Sequence, residues 1–173
     1  MPLERLQPSL LDRLTDDDPG QSRESHDKRF LSLRRLRECV LRDLGWLLNA
    51  TNLTDTGQFD NGDPVAHSTL NYGIPELTGA NASTVDGDAL AQRIRQAILA
   101  FEPRLLPQTL SVRAVVNEGG DRSDGGTEKG ANTLTLKIEG DLWAVPAPLR
   151  ILVTTSIDLE SGRAVVADGT NAR

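Results

Sequence analysis

Cysteine is almost absent from the chain. Cys39 is the one cysteine among 173 residues, which excludes an internal disulfide and a zinc site built from several cysteines. The two histidines, His26 and His67, lie in segments unrelated to Cys39, without the spacing of metal ligands. We therefore expect no metal site.

Aromatic residues and long apolar runs are also scarce. Aromatics make up 3% of the chain, so the core must be built from aliphatic side chains. No apolar run approaches the roughly 20 residues that a membrane-spanning helix needs. The first residues, Met1–Arg5, lack the pattern of a signal peptide, so the sequence predicts a cytoplasmic protein. The formal net charge of -6 would repel nucleic acid and anionic lipid.

Motifs for nucleotide binding are missing. Gly119-Gly120 and Gly125-Gly126 lie in a polar segment and not between a strand and a helix, where phosphate-binding loops occur. Neither histidine has the setting that a nucleophilic catalytic site requires. The sequence therefore predicts no cofactor.

The domain organisation follows from changes in composition. Residues 1–26 are predicted to form a short helix, with leucines at helical spacing from Leu6 to Leu14, on a flexible polar tether. Residues 27–168 are predicted to form a single α+β domain, and residues 169–173 a polar tail. The short helix could pack on its own domain or insert into a partner's groove.

Two longer amphipathic helices are predicted within the domain. The first begins at about Asp27, and the second follows a possible N-cap at Ser83, Thr84 or Asp86. Their apolar faces consist of Phe30, Leu33, Leu36, Val40, Leu44 and Leu47 in the first, and of Leu90, Ile94, Ala97, Ile98 and Phe101 in the second.

The sequence makes specific predictions for three features in or near these helices. Arg37 lies at the edge of the first apolar face and should find a carboxylate partner or extend outwards. The other basic residues of this helix, Arg42 included, are predicted to form a solvated face, and Cys39 to be a small buried apolar residue. Asn71-Tyr72-Gly73-Ile74-Pro75, between the helices, predicts a turn.

Beyond Pro107 the apolar period changes to two, which is typical of half-buried strands. Strands are predicted around Leu110–Val116, Leu134–Ile138, Ile151–Leu159 and Arg163–Ala167. Asn117–Asn132 is predicted to be a long loop, and Gly140–Pro148 to interrupt the sheet because it contains two prolines. The fold class is therefore α+β: a small antiparallel sheet of about four strands with two main helices on one face, plus the short N-terminal helix. Such a sheet is expected to leave an edge free.

The corner Glu102-Pro103-Arg104 closes the second helix, because proline cannot continue it. The two charged side chains are expected to project from this turn, where they could dock a partner or form a local salt bridge. A glycosidase with Glu102 as its acid and Asp86 or Asp88 as the second carboxylate is an alternative. Arg104 argues against it, because a nearby cation favours the ionised carboxylate.

Five stretches together resemble the TssE family of type VI secretion baseplate subunits, which is related to the "lysozyme-like" wedge protein of contractile phage tails. They follow one another in the family's order over most of the chain. They are Ser9–Leu14, Arg37–Leu44 with Leu47-Leu48-Asn49, Leu70–Pro75, Phe101–Leu105 and Glu139–Ala144. The departures are Cys39, where a small residue such as serine is common, and a long glycine-rich loop from Gly119 to Gly130.

The resemblance implies a structural protein and not an enzyme. It implies a wedge component beside TssF, TssG and TssK, at the cytoplasmic side of the inner membrane. It also implies that the sheath subunits TssB and TssC add strands to the edge of the small sheet and so begin sheath polymerisation. Glu102, Pro103 and Arg104 match the family's signature and are implied to be the partner-binding residues of the wedge contact.

Overall fold

A computed structural model describes residues 9–15, 32–53, 64–80, 85–115, 132–144 and 147–169. The helices are α1 (Leu10–Leu14), α2 (Leu33–Leu48) and α3 (Gly87–Phe101), with short 3-10 helices at Pro64–His67 and Thr69–Asn71. The strands are β1 (Ser111–Val115), β2 (Thr133–Leu142), β3 (Leu149–Asp158) and β4 (Ala164–Asp168). None of the helices in these ranges combines the length and hydropathy of a membrane-spanning segment.

The four strands form one antiparallel sheet in the order β1-β2-β3-β4. Alternate residues along each strand face α2 and α3, and the central strands are fully buried on that side. Large side chains with almost no exposure there include Leu136, Ile138, Ile151 and Ile157. The predicted α+β class, with helices on one face of a four-stranded sheet and a short N-terminal helix, is confirmed.

The helix boundaries follow their capping residues. The Ser32 side chain accepts a hydrogen bond from the Arg35 amide, so α2 begins at Leu33 and not near Asp27. Phe30 and the tether lie outside the described residues. In α3 the Asp86 side chain accepts from the amides of Asp88 and Ala89, which confirms one of the three candidate N-caps; the other two are not described.

The interruption of the sheet predicted for Gly140–Pro148 is wrong for its first three residues and confirmed for the described residues after Leu142. Gly140, Asp141 and Leu142 continue β2 and pair with Ile151, Arg150 and Leu149. Both prolines of this stretch follow Leu142, so they leave the ladder intact. The predicted loop at 117–132 lies outside the described residues except for Asn132, whose amide group donates to the Ala80 carbonyl at 2.9 Å.

Two expectations about single side chains of α2 are confirmed. The Arg37 guanidinium lies 2.6 Å from the Asp168 carboxylate, so the basic residue at the edge of the apolar face has found its partner on β4. Cys39 is 2% exposed, and its burial, with the Asp12 carboxylate nearby, raises the pKa of the thiol.

The turn at Gly73 fixes the loop to the end of α2. Ile74 forms a parallel bridge with Thr51, and its amide donates to the Ala50 carbonyl at 2.8 Å. Gly73 has a φ of +128°, and an added Cβ there would lie 2.3 Å from the Ala50 oxygen. Only glycine fits this position.

We expect Gly73→Ala to lower the free energy of unfolding by about 3 kcal/mol, because it adds a backbone clash to an unfavourable φ. Gly79→Ala is the matched control, since Gly79 has a φ of +82° and a Cβ added there would have no atom within 4 Å. It should cost only about 1 kcal/mol. Urea unfolding of both variants measures the difference, and equal losses would contradict the steric argument.

Candidate functional site

The Glu102-Pro103-Arg104 corner lies where α3 ends. Glu102 is the C-cap, and its amide donates to the Ile98 carbonyl at 2.8 Å. The expectation that both charged side chains project outwards is wrong for Glu102, which is 4% exposed. Pro103 is exposed, and the Arg104 side chain keeps 23% of its surface accessible. The corner therefore presents proline and arginine to the outside over a buried carboxylate.

Glu102 and Arg104 form the local ion pair that the sequence left as one of two interpretations. Arg104 Nε lies 2.6 Å from Glu102 Oε1, and Nη2 lies 2.5 Å from Oε2. The Arg104 amide also donates to Oε1. Burial disfavours the charged guanidinium, but the hydrogen bonds and charges of Glu102 and Asp43 outweigh it and raise the pKa of Arg104 above its usual value.

The ion pair continues into a ladder of alternating charges that crosses α2 and reaches α1. Arg104 Nη2 contacts Asp43 at 2.5 Å, and Asp43 contacts Arg42 at 2.8 Å. Arg42 Nη1 contacts Asp12 of α1 at 2.7 Å. We call Glu102, Arg104, Asp43, Arg42 and Asp12 the charge ladder. The predicted solvated role of Arg42 is therefore wrong, because its side chain is only 32% exposed and joins two carboxylates.

Asp12 holds the short helix to the domain. Its side chain is 7% exposed and accepts a 2.6 Å hydrogen bond from the Ser9 hydroxyl. Burial raises its pKa, but the hydrogen bonds of Ser9 and Arg42 and the charge of Arg42 outweigh this, so the net pKa is below the usual value. No residue of α1 is buried as a whole, so the ion pair of Asp12 with Arg42 is a principal contact between this helix and α2.

The backbone after the corner pairs with the end of β2. The Trp143 amide donates to the Arg104 carbonyl at 2.8 Å, and the Leu106 amide donates to the Asp141 carbonyl at 2.9 Å. Leu105 and Leu142 form an isolated antiparallel bridge between them. The stretch Glu139–Ala144 therefore holds the main chain of the corner in place.

Tyr72 brings the turn of Asn71–Pro75 to the same place. Its ring meets Phe101 edge-on, with centroids 5.1 Å apart. Burial, with the charges of Asp43 and Glu102, raises the pKa of the tyrosine hydroxyl. All five stretches that carried the family resemblance thus meet around the charge ladder.

An open groove of about 510 Å³ runs beside the ladder. It is lined by apolar residues, which include Leu11, Trp46 and Pro103, and by the charged residues Asp43, Glu102 and Arg104. Trp46 is 53% exposed and stacks on the Arg42 guanidinium, 4.9 Å from the ring centroid. A large exposed aromatic beside a fixed cation is typical of a protein interaction surface.

The geometry does not support the carboxylate pair of a glycosidase. Asp86 and Glu102 cap opposite ends of the 15-residue α3, so about 24 Å of helix separates them. Retaining and inverting glycosidases hold their carboxyl groups within about 10 Å of each other. Within the described ranges, no group of three or more His, Cys, Asp or Glu residues is placed to hold a metal.

Sequence reasoning found the corner but missed the residues that complete the site. Asp43 and Trp46 lie on α2 between apolar core positions, and nothing in the helical period distinguishes them from solvated residues. Asp12 lies in a segment that was predicted to be tethered. The one signal was that Asp12 and Asp43 both occur inside stretches that carry the family resemblance.

The sequence pattern of one protein family, Baseplate wedge protein gp25, matches residues 34–147, which is more than half of the chain. The chain belongs to this family. The resemblance to TssE is confirmed, because TssE is a member of the same family. No curated protein and no solved structure matches the chain.

Membership of the Baseplate wedge protein gp25 family makes the chain a structural component of a baseplate that contacts other baseplate components. The match covers nearly all of α2 and the whole of α3, β1 and β2. It therefore includes four of the five residues of the charge ladder: Arg42, Asp43, Glu102 and Arg104. Asp12 and its short helix precede the matched range. The wedge-family core therefore contains the corner, while α1 is attached to it from outside.

We expect the corner of this wedge-family protein to be necessary for its stability. Arg104→Met leaves Glu102 buried without its cation, which should lower the free energy of unfolding by about 3 kcal/mol. Glu102→Gln keeps a hydrogen-bonding group and should cost about 1–2 kcal/mol. The double variant should lose clearly less than the sum of the two. Urea unfolding of the four proteins measures the coupling, and additive losses would show that the pair is not coupled.

We also expect Asp12 to control access to Cys39. Asp12→Ala removes the contact that holds α1 over this part of α2, so a thiol reagent should label Cys39 about tenfold faster at pH 8. Arg13→Ala is the control, because Arg13 is exposed on the same helix. Equal labelling of the Asp12 variant and the parent protein would show that α1 does not cover Cys39.

Proposed function

We propose that the protein is the TssE-type subunit of a type VI secretion baseplate. It docks in the wedge with TssF, TssG and TssK at the cytoplasmic side of the inner membrane, and it starts polymerisation of the sheath from TssB and TssC. The family match and the convergence of the five stretches on one surface support this proposal.

The corner and its groove form the proposed wedge-docking surface. Pro103 and Arg104 contact the partner. Glu102 acts as a positioning residue that fixes the orientation of the Arg104 guanidinium. Arg104 Nη1 is buried and has no hydrogen-bond partner within the described part of the chain. Because Nη1 is buried, a partner would contact the accessible remainder of the Arg104 side chain and bring an apolar side chain to Trp46.

Templating of the sheath is proposed to use the open sheet. The two outer strands, β1 and β4, are the margins of the four-stranded meander. An extended segment of another chain can join such a margin through main-chain hydrogen bonds. This arrangement is the observation on which the strand-addition role depends.

Catalysis is not part of this proposal. Both oxygens of Glu102 are held by Arg104, so neither is free to contact the glycosidic oxygen that a catalytic acid must protonate. Asp43 contacts the same guanidinium and cannot serve as an independent second carboxylate. The peptidoglycan-cleaving alternative would gain support only if purified protein released sugar fragments from cell walls and Glu102→Gln did not.

We expect Trp46→Ser to reduce co-purification with TssF, TssG and TssK by about tenfold, because exposed tryptophans at interface centres carry much of the binding energy. The side chain is 53% exposed, so the melting temperature should change little. Leu33→Ser is the matched control, since Leu33 is 41% exposed at the other end of α2. Undiminished recovery of the wedge subunits with the Trp46 variant would contradict docking through this groove.

A further inference from the structure

Each outer strand of the sheet has alternate residues whose main-chain groups point away from the sheet. The Leu159 amide donates to the Asn132 carbonyl and the Asp158 amide to the Arg163 carbonyl. Residue pairs in an antiparallel sheet alternate between those that exchange hydrogen bonds and those that do not. Together with the strand registers, the two bonds show which residues of the outer strands bond to the neighbouring strand and which point outward. The outward groups belong to Val112 and Ala114 on β1 and to Ala164, Val166 and Asp168 on β4.

The β1 margin is packed against α3, although the described residues show no hydrogen bond to the outward groups of Val112 and Ala114. Arg95 donates through Nε to the Leu110 carbonyl and through Nη2 to the Pro107 carbonyl, so the segment that leads into this strand is already bonded. Val112 is only 9% exposed. At the other end of β1, a Cβ added to Gly87 would lie 2.9 Å from the Ala114 Cβ. Helix and strand touch here, which leaves no space for an inserted side chain.

The β4 margin is bonded to α2 at both ends and open between them. The Asn49 side chain donates to the Ala164 carbonyl at 2.9 Å and accepts from the Ala164 amide at 3.0 Å, and Arg37 pairs with Asp168. Arg37, Leu41, Gly45 and Asn49 are spaced by four and form one ridge of α2. A Cβ added to Gly45 would have no atom within 4 Å.

Val166 lies between the two bonded ends of β4. No hydrogen bond to its outward amide or carbonyl occurs among the described residues. Val166 is also more exposed than its β1 counterpart, Val112. The open main-chain groups and the space above Gly45 are therefore on the same margin.

We infer that β4 is the margin that accepts the added strand, and that an aliphatic side chain of this strand sits over Gly45. The inference rests on the proposed strand addition and specifies its place and register. The Asn49 side chain already bonds the amide and the carbonyl of Ala164, as a residue of a paired strand would. The added strand therefore pairs at Val166 and must turn away before Ala164.

The chemistry of this margin favours an uncharged, aliphatic strand. The charged residues at one end of this margin, Arg37 and Asp168, neutralise each other. Leu41 packs partly on the core beneath the margin, and Val165 is 57% exposed on the opposite face of β4. An added strand that alternates around this margin would therefore meet apolar surface on both of its faces.

Substitutions at Gly45 and on the two outer strands test the inference in the full-length protein. Gly45→Leu fills the space over α2 and should not lower the melting temperature, because glycine is a poor residue inside a helix. Val166→Pro removes one outward amide from β4, and Ala114→Pro removes the equivalent amide from β1, at the other end of the same cross-sheet row. The readout is the number of sheaths assembled with TssB and TssC of the same system.

We expect Gly45→Leu and Val166→Pro to reduce sheath number by about tenfold, and Gly45→Ala and Ala114→Pro to leave it within about twofold. Loss with Ala114→Pro alone would assign the strand to β1 and overturn the inference while strand addition stands. Equal loss with the Gly45→Leu, Val166→Pro and Ala114→Pro variants would overturn the preference for β4. Normal assembly with every variant would overturn strand addition itself. Gly45→Leu gives an outcome even if a proline variant does not fold.

Discussion

The buried carboxylate of Glu102 is the constraint on which the site depends. A charged group that is 4% exposed is stable only if a cation and hydrogen bonds replace the water that it has lost. Arg104 supplies both, through a two-point contact that fixes the plane of the guanidinium. Proline between the two residues restricts the turn that allows this contact. The three residues therefore act as one rigid unit.

The charge ladder connects this local ion pair to residues that are distant in the sequence. Asp43 is the branching point, because it receives Arg104 from the end of α3 and Arg42 from its own helix. Arg42 then reaches α1 through Asp12. A partner that draws Arg104 away from Asp43 would weaken the contact between Asp43 and α3 while leaving Asp12 with Arg42. The ladder thus connects α1 to the corner through a series of ion pairs whose two ends can separate.

Much of the fold could be predicted from the sequence, because apolar periodicity records which face of an element is buried. The rows through Leu136 and Ile138 on β2, and through Val153 and Ile157 on β3, follow the alternation that predicted them. The continuation of β2 through Gly140 could not be predicted in this way, because two nearby prolines indicate a break without indicating where it begins. The register shows that they follow the last paired residue.

The site was less predictable because charge partners leave no periodic signal. Arg37 was expected to find a carboxylate, since its position at the edge of an apolar face requires one. Asp168, which supplies it, lies 131 positions further along the chain. Glu102 was expected to be exposed, as charged turn residues usually are, but it is buried in its ion pair with Arg104. Local sequence indicates the need for a partner but does not identify the partner.

The two outer strands of the sheet, β1 and β4, differ in how closely a neighbouring helix covers them. Both outer strands have a helix beside them. Arg95 of α3 donates to the carbonyl of Leu110, just before β1, and Asn49, the C-cap of α2, bonds both main-chain groups of Ala164 on β4. Such caps protect a small sheet from unspecific pairing. The space beside the two strands differs at one glycine of each helix. A Cβ added to Gly87 of α3 would lie 2.9 Å from the Ala114 Cβ of β1, whereas a Cβ added to Gly45 of α2 would have no atom within 4 Å. Because β4 is bonded at Ala164 and at Asp168, Val166 is the residue of this margin whose main-chain groups remain open among the described residues.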